Sequence, residues 1–147
     1  MQLCTRARYG ARALVEFALA HPDNTVSLKE VAKTQRISPK YLEQIMRALK
    51  ASGLVKAVRG MHGGYVLGRP PSKITLGEVF RVLEGSPALV DCVEHTGVCP
   101  MEEICPTRDT WVEMTKAIMT VLEGTTLQDL AERKRRKGSP STLIYHI

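Results

Sequence analysis

Three cysteines fall within fourteen residues in the pattern Cys92-x6-Cys99-x5-Cys105, and a fourth, Cys4, stands alone near the N-terminus. Thiolates are soft ligands, suited to iron–sulfur clusters or to zinc. Zinc sites favour more closely spaced Cys pairs than these. A group of three also pairs badly as disulfides, and clustered cysteines in a reducing compartment point to metal rather than to cross-links. His95, three residues beyond Cys92, is a further candidate ligand. The bland alternative is three separate buried or reactive thiols, as in a cluster-free thiol sensor. A Cys/His nucleophile would need an orienting Asn or Asp in a local signature. None is present, so these residues do not point to an enzyme.

A second set of residues could grip a polyanion. Lys40, Tyr41, Glu43, Gln44, Arg47 and Lys50 recur on one face of a segment whose other face is Leu42, Ile45, Met46 and Leu49. Gln can hydrogen-bond a base edge, Glu can accept from cytosine, and Lys or Arg neutralise phosphates. The bland reading is a solvated helix face. Arg6, Arg8, Tyr9 and Arg12 add to the same basic half, and Arg59 lies in a Gly-rich turn that could carry it into a minor groove. Together these favour nucleic acid. Gly60, Gly63 and Gly64 do not make a phosphate loop, because a strand follows them and no Gly-Lys-Ser/Thr is present.

The elements that must position these residues are legible in the periodicity. Ala7, Ala11, Leu14, Val15, Ala18 and Leu19 predict a helix over residues 6–21, ended by His21-Pro22-Asp23-Asn24. Ser27-Leu28-Lys29-Glu30 reads as a capping box before a short helix. Gln35-Arg36-Ile37 is a tight connection. Ser38 as N-cap and Pro39 at the first helical position open the next helix, and Gly53 stops it. This is a helix-turn-helix. Residues 54–58 and 65–67 read as strands around the Arg59–Gly64 turn, which completes the winged-helix order. A short helix over 75–84, a loop over 85–106 containing all three clustered cysteines, a long helix over 107–123 and a shorter one from Thr126 follow. The long helix carries Trp111, Met114, Ile118, Val121 and Leu122 along one face, which reads as a symmetric dimer interface.

The bulk composition agrees. The 147 residues are 44% apolar and 24% charged, ordinary for a soluble domain, and no apolar run is long enough for a membrane span. The N-terminus lacks the features of a signal peptide, so a cytoplasmic protein is expected. The net charge of +6 hides an asymmetry: residues 1–73 hold 13 Lys/Arg against 4 Asp/Glu, and residues 74–132 hold 3 against 11. A basic head faces a polyanion and an acidic middle does something else. The run Arg133–Lys137 reads as a solvated basic tail leading into Gly138-Ser139-Pro140.

Several segments carry a family resemblance: Arg8-Tyr9-Gly10-Ala11-Arg12-Ala13, Ile37-Ser38-Pro39-Lys40-Tyr41-Leu42-Glu43-Gln44, Arg59-Gly60 with Gly63-Gly64-Tyr65-Val66-Leu67, Thr75-Leu76-Gly77-Glu78-Val79, and the three-Cys loop. They resemble the Rrf-type winged-helix transcription regulators, and within them the IscR-like iron–sulfur cluster regulators. The resemblance covers residues 1–132. It implies a homodimer, crossed by the long helix, on a partly palindromic operator in double-stranded DNA. Carried over by position, Ser38, Lys40, Glu43 and Gln44 face bases, Tyr9, Tyr41 and Arg47 lie on the backbone, and Arg59 enters the minor groove. Glu43 would discriminate, since an unpaired carboxylate repels a wrong base or a phosphate. Cys92, Cys99 and Cys105 match the cluster ligands.

The pattern breaks at the fourth ligand. IscR-like relatives place a His three residues beyond the third Cys, where this chain has Arg108. NsrR-like relatives use an N-terminal Asp from the other subunit, and the corresponding region here has Arg8. His95, Glu102, Glu103, Asp109 and Cys4 are the candidates, with His95 preferred. By analogy the cluster is 2Fe–2S, with 4Fe–4S as the alternative. The expected fold is mainly α, a winged helix-turn-helix with a long dimerisation helix. Residues 1–73 form the DNA-binding region, 74–132 the cluster loop and dimer helices, and 133–147 a basic tail. The expected function is an iron–sulfur-sensing regulator, of cluster biogenesis genes. The alternatives are a nitric-oxide- or redox-sensing member of the same family, or a cluster-carrying electron-transfer protein.

Overall fold

A computed structural model describes residues 3–138. The chain order is α1 (Thr5–Ala20), α2 (Leu28–Gln35), α3 (Pro39–Ala51), β1 (Val55–Val58), β2 (Gly64–Leu67), α4 (Leu76–Leu83), a single turn α5 (Asp91–Glu94), α6 (Arg108–Glu123) and α7 (Leu127–Gly138). Short 3-10 turns lie at Pro71–Lys73 and Glu102–Ile104. It is the mainly α winged-helix order that the periodicity predicts. Residues 85–106, expected as plain loop, contain α5 and the second 3-10 turn.

The helix-turn-helix is built as its residue types dictate. Ser38 Oγ accepts the Tyr41 backbone N–H at 3.3 Å, and Pro39 occupies the first turn of α3, where its missing N–H costs nothing. Arg36 takes a left-handed φ of 53° in the connection, and Ile37 behind it is buried. Gly53, at φ 77°, ends α3 in a conformation that suits glycine. The expected capping box at Ser27 does not form: its side chain makes no cap hydrogen bond, and nothing in the structure explains why. A complete box stands instead at Thr75 and Glu78 at the start of α4, where the Thr-x-x-Glu signature is also present in the sequence.

The wing is a two-stranded antiparallel hairpin with Val55 opposite Leu67 and Val58 opposite Gly64. Val26 adds a bridge to Tyr65, with both backbone bonds at 2.9 Å, and Thr25 Oγ1 donates to the His62 carbonyl at 2.8 Å. Gly64 is required by this close approach, because a Cβ there would stand 2.7 Å from the Val26 carbonyl oxygen.

One hydrophobic core holds the molecule together. Leu14 and Phe17 of α1, Leu42, Ile45, Met46 and Leu49 of α3, Val79 and Leu83 of α4, and Leu127 and Ala131 of α7 belong to the same buried cluster. The buried face of α1 is turned from its predicted stripe: Gly10, Ala13 and Phe17 are inside with Ala7, Leu14 and Ala18, while Ala11, Val15 and Leu19 are only half-buried, because α2, α3, α4 and α7 set which side is covered. The core therefore runs across the division read at residue 73. The basic run Arg133–Lys137 is part of α7 rather than the start of a tail, and Lys134 pairs with Glu16 of α1. Ser139 and Pro140 of the expected tail lie outside the described residues. In contrast to the core helices, α6 has no buried residue along its sixteen positions.

Candidate functional site

The outer face of α3 is prepared for a partner. Lys40, Glu43, Gln44 and Arg47 are exposed, as is Arg59 in the wing turn beside Gly60. None of the four charged residues among them is ion-paired within the described residues. Ser38 is exposed, but its hydroxyl already serves as the α3 cap. Tyr41 is half-buried, edge-on to Tyr9 with ring centroids 6.2 Å apart, and the Arg12 guanidinium lies 5.5 Å from the Tyr9 ring centre. This aromatic pair fixes the start of α3 against α1.

Two arginines of the first helix have partners within the chain. Arg6 donates to the Leu83 carbonyl through Nε at 2.7 Å and also through Nη2, which caps the end of α4. Arg12 donates to the side-chain and backbone oxygens of Gln35, both at 2.8 Å, and Gln35 in turn meets Glu16. Arg6 and Arg12 thus brace neighbouring segments while remaining exposed, and their charges still belong to the basic half. Arg8, exposed like the other two, has only a 3.5 Å contact to Thr5 in its own helix. The brace through buried Gln35 holds the turn that aims α3, and sequence inspection gave no signal for it.

The cysteine loop is arranged differently from a ligand cage. Cys92 lies in α5, and Cys99 and Cys105 lie on either side of the second 3-10 turn; all three are half-buried free thiols. His95 is exposed and its nearest charged neighbour is Glu94, at 4.0 Å. Cys4 sits apart as the N-cap of α1, its sulfur accepting the Ala7 N–H at 3.3 Å. Among the described residues no three Cys, His, Asp or Glu side chains lie together as a metal-binding group. The donor chemistry of the three thiols suits an iron–sulfur cluster, for which Cys92, Cys99 and Cys105 would have to be gathered from the positions they hold on the loop. Arg108, where a fourth ligand was sought, instead donates to the Cys92 carbonyl and pairs with Glu102 at 2.9 Å. The Cys105 thiol is held below its usual pKa by its side-chain contact with Thr107 at 3.4 Å, with Arg108 adding a smaller effect.

A groove of 470 Å³ is lined in part by Leu3, Phe80, Leu89, Val90, Trp111 and Met114. Along α6, Met114 and Val121 are 44% and 67% exposed.

A helix-turn-helix with a wing, its recognition helix presenting unpaired polar and basic side chains, defines a winged-helix DNA-binding regulator. Comparison with known proteins identifies the family. Residues 3–133 match Rrf2, described as an iron-dependent transcriptional regulator, and the chain belongs to that family of regulators rather than to any enzyme family. It is 41% identical over 131 residues to the HTH-type transcriptional regulator CymR of Bacillus subtilis, covering 89% of this chain and 90% of CymR. The solved structure of B. subtilis CymR, titled as that organism's global cysteine regulator, superimposes with a TM-score of 0.77 at 39% identity, over 90% of this chain and 98% of the other. The structure of T. potens IscR superimposes with a TM-score of 0.78 at 33% identity, over 95% and 92%. No helix among the described residues is long and apolar enough to cross a membrane.

Proposed function

We propose that the chain is a cytoplasmic, homodimeric regulator that binds a partly palindromic operator, with the cysteine loop as its sensory element. The observation that carries the DNA reading is the unpaired face of α3 beside the wing. Gln44 and Lys40 reach base edges, Glu43 discriminates against wrong bases, and Tyr9, Tyr41 and Arg47 lie along phosphates. Ser38 contributes its backbone and cap to the same edge, and Arg59 enters the minor groove. A second copy covers the unburied face of α6, which supports the dimer.

The DNA reading is tested by gel shift on the promoter of the chain's own operon across a salt series. Gln44→Ala costs about 1–3 kcal/mol on the preferred sequence. Arg59→Ala weakens binding with a shallower salt dependence. Undiminished binding by both variants overturns the contact assignment.

For the signal, we propose iron–sulfur status, read through Cys92, Cys99 and Cys105 with His95 as the fourth group, and 2Fe–2S ahead of 4Fe–4S. Three soft ligands on one loop, the iron-dependent description of the family and the likeness to IscR support this. A specific observation favours a second reading: the exposed edge of Cys105 with its lowered pKa, together with the likeness to CymR, supports a cluster-free thiol sensor of redox state or nitric oxide. Anaerobic reconstitution with visible absorption and iron and sulfide assays separates them. A brown product that Cys→Ser variants bleach supports the cluster; a colourless, iron-free product leaves the thiol reading.

A further inference from the structure

The cysteine loop is closed by polar links that involve no metal. Glu102 Oε1 accepts from Arg108 Nη2 at 2.9 Å, and Glu102 Oε2 accepts the Gly97 backbone N–H at 2.6 Å. Arg108 also donates to the Cys92 carbonyl, from Nε at 3.3 Å and from Nη2 at 3.1 Å. The links join positions 92, 97, 102 and 108, and so tie both limbs of the loop to the first turn of α6. The Arg108 and Glu102 side chains are only 24% and 16% exposed, against 45% and 31% for the surface pair Arg69–Glu78. The inner pair is correspondingly less screened by water and salt.

We propose that Glu102 and Arg108 form a metal-independent clamp, which gives the loop an ordered closed form and opposes gathering of its thiols around a metal ion. With the clamp closed, no ligand group of three is assembled among the described residues. Bringing the sulfurs together shifts the segments that the clamp holds, so one arrangement is made at the expense of the other. Two mutually exclusive states are thermodynamically linked: what stabilises the clamp weakens metal uptake, and its removal strengthens it. The inference rests on the loop geometry alone and is independent of the DNA reading.

The test uses the full chain, reduced and freed of metal with chelator. Hydrogen exchange reads the Gly97 amide, and Co²⁺ titration after removal of the chelator reads thiolate-to-cobalt absorption. In the wild type the Gly97 amide is protected without metal. Arg108→Ala and Glu102→Gln each speed its exchange by about tenfold, equivalent to about 1.4 kcal/mol, and the double variant adds little more. Arg108→Ala, which removes no metal-ligating atom, takes up Co²⁺ about tenfold more tightly than the wild type. A wild-type Gly97 amide that exchanges as fast as in the variants overturns the clamp. Co²⁺ binding by Arg108→Ala that is unchanged or weaker overturns the competition.

Discussion

Two arginines of similar sequence context have opposite fates. Arg47 projects from α3 with no ion pair among the described residues, whereas Arg12 is spent on Gln35. Their substitutions separate accordingly. Arg12→Ala leaves the Gln35 oxygens without their donor and lowers stability by about 1–2 kcal/mol, measured by urea unfolding. Arg47→Ala leaves the unfolding midpoint in place and reduces the slope of log affinity against log salt by about one. Composition marked both as candidates for a polyanion. Only the distances to Gln35 and Leu83 show that Arg12 and Arg6 serve the fold, because their partners are backbone and side-chain oxygens that carry no distinctive sequence signal.

Among the elements, α4 is anchored by a carboxylate. Burial alone would raise the Glu78 pKa, but the hydrogen bonds from Arg69 and the Thr75 backbone N–H outweigh it and hold the carboxyl below its ordinary range. A carboxyl with a depressed folded pKa stabilises the native state above its unfolded value, and that contribution is lost as pH falls through the lowered one. Glu78→Gln therefore flattens the acid side of the stability curve below about pH 4.5. Thermal unfolding from pH 7 to 3 measures this, and a variant with the wild-type acid slope contradicts the assignment.

The unburied helix α6 makes its own prediction. Trp111 and Met114 border the apolar groove, and Val121 stands 67% exposed. A charge at the centre of a self-complementary apolar face is desolvated twice in a symmetric dimer. Val121→Glu shifts sedimentation from dimer to monomer and lowers operator affinity, with helix content unchanged. The helix itself was legible from its periodicity. That this face stays only half-covered among the described residues was not, since periodicity gives a face and never its neighbour.

At the scale of the molecule, one core joins the basic head to the acidic remainder. Leu83, Leu127 and Ala131 are 0%, 0% and 2% exposed within the cluster that also holds Leu14 and Ile45. Removing α4 and α7 uncovers α1 on two sides. A fragment of residues 1–73 is thus expected to lack a cooperative thermal transition by circular dichroism, although it contains the whole helix-turn-helix and wing. A sharp transition in that fragment would show that the head folds alone.

The sequence by itself determined the order of helices, the wing, the apolar faces of α3 and α4, and the spacing of the three cysteines. These follow from local periodicity, caps and turn residues, which act over a few neighbours. Tertiary structure decided which cations also hold partners within the chain and how the thiols are spread along their loop. Arg6 finds its acceptor 77 positions away and Lys134 its carboxylate 118 positions away. In the cysteine loop, an Arg–Glu pair and a glycine amide set the closure in place of the sulfurs. Such choices depend on distances between remote segments, which exist only once the core has brought them together.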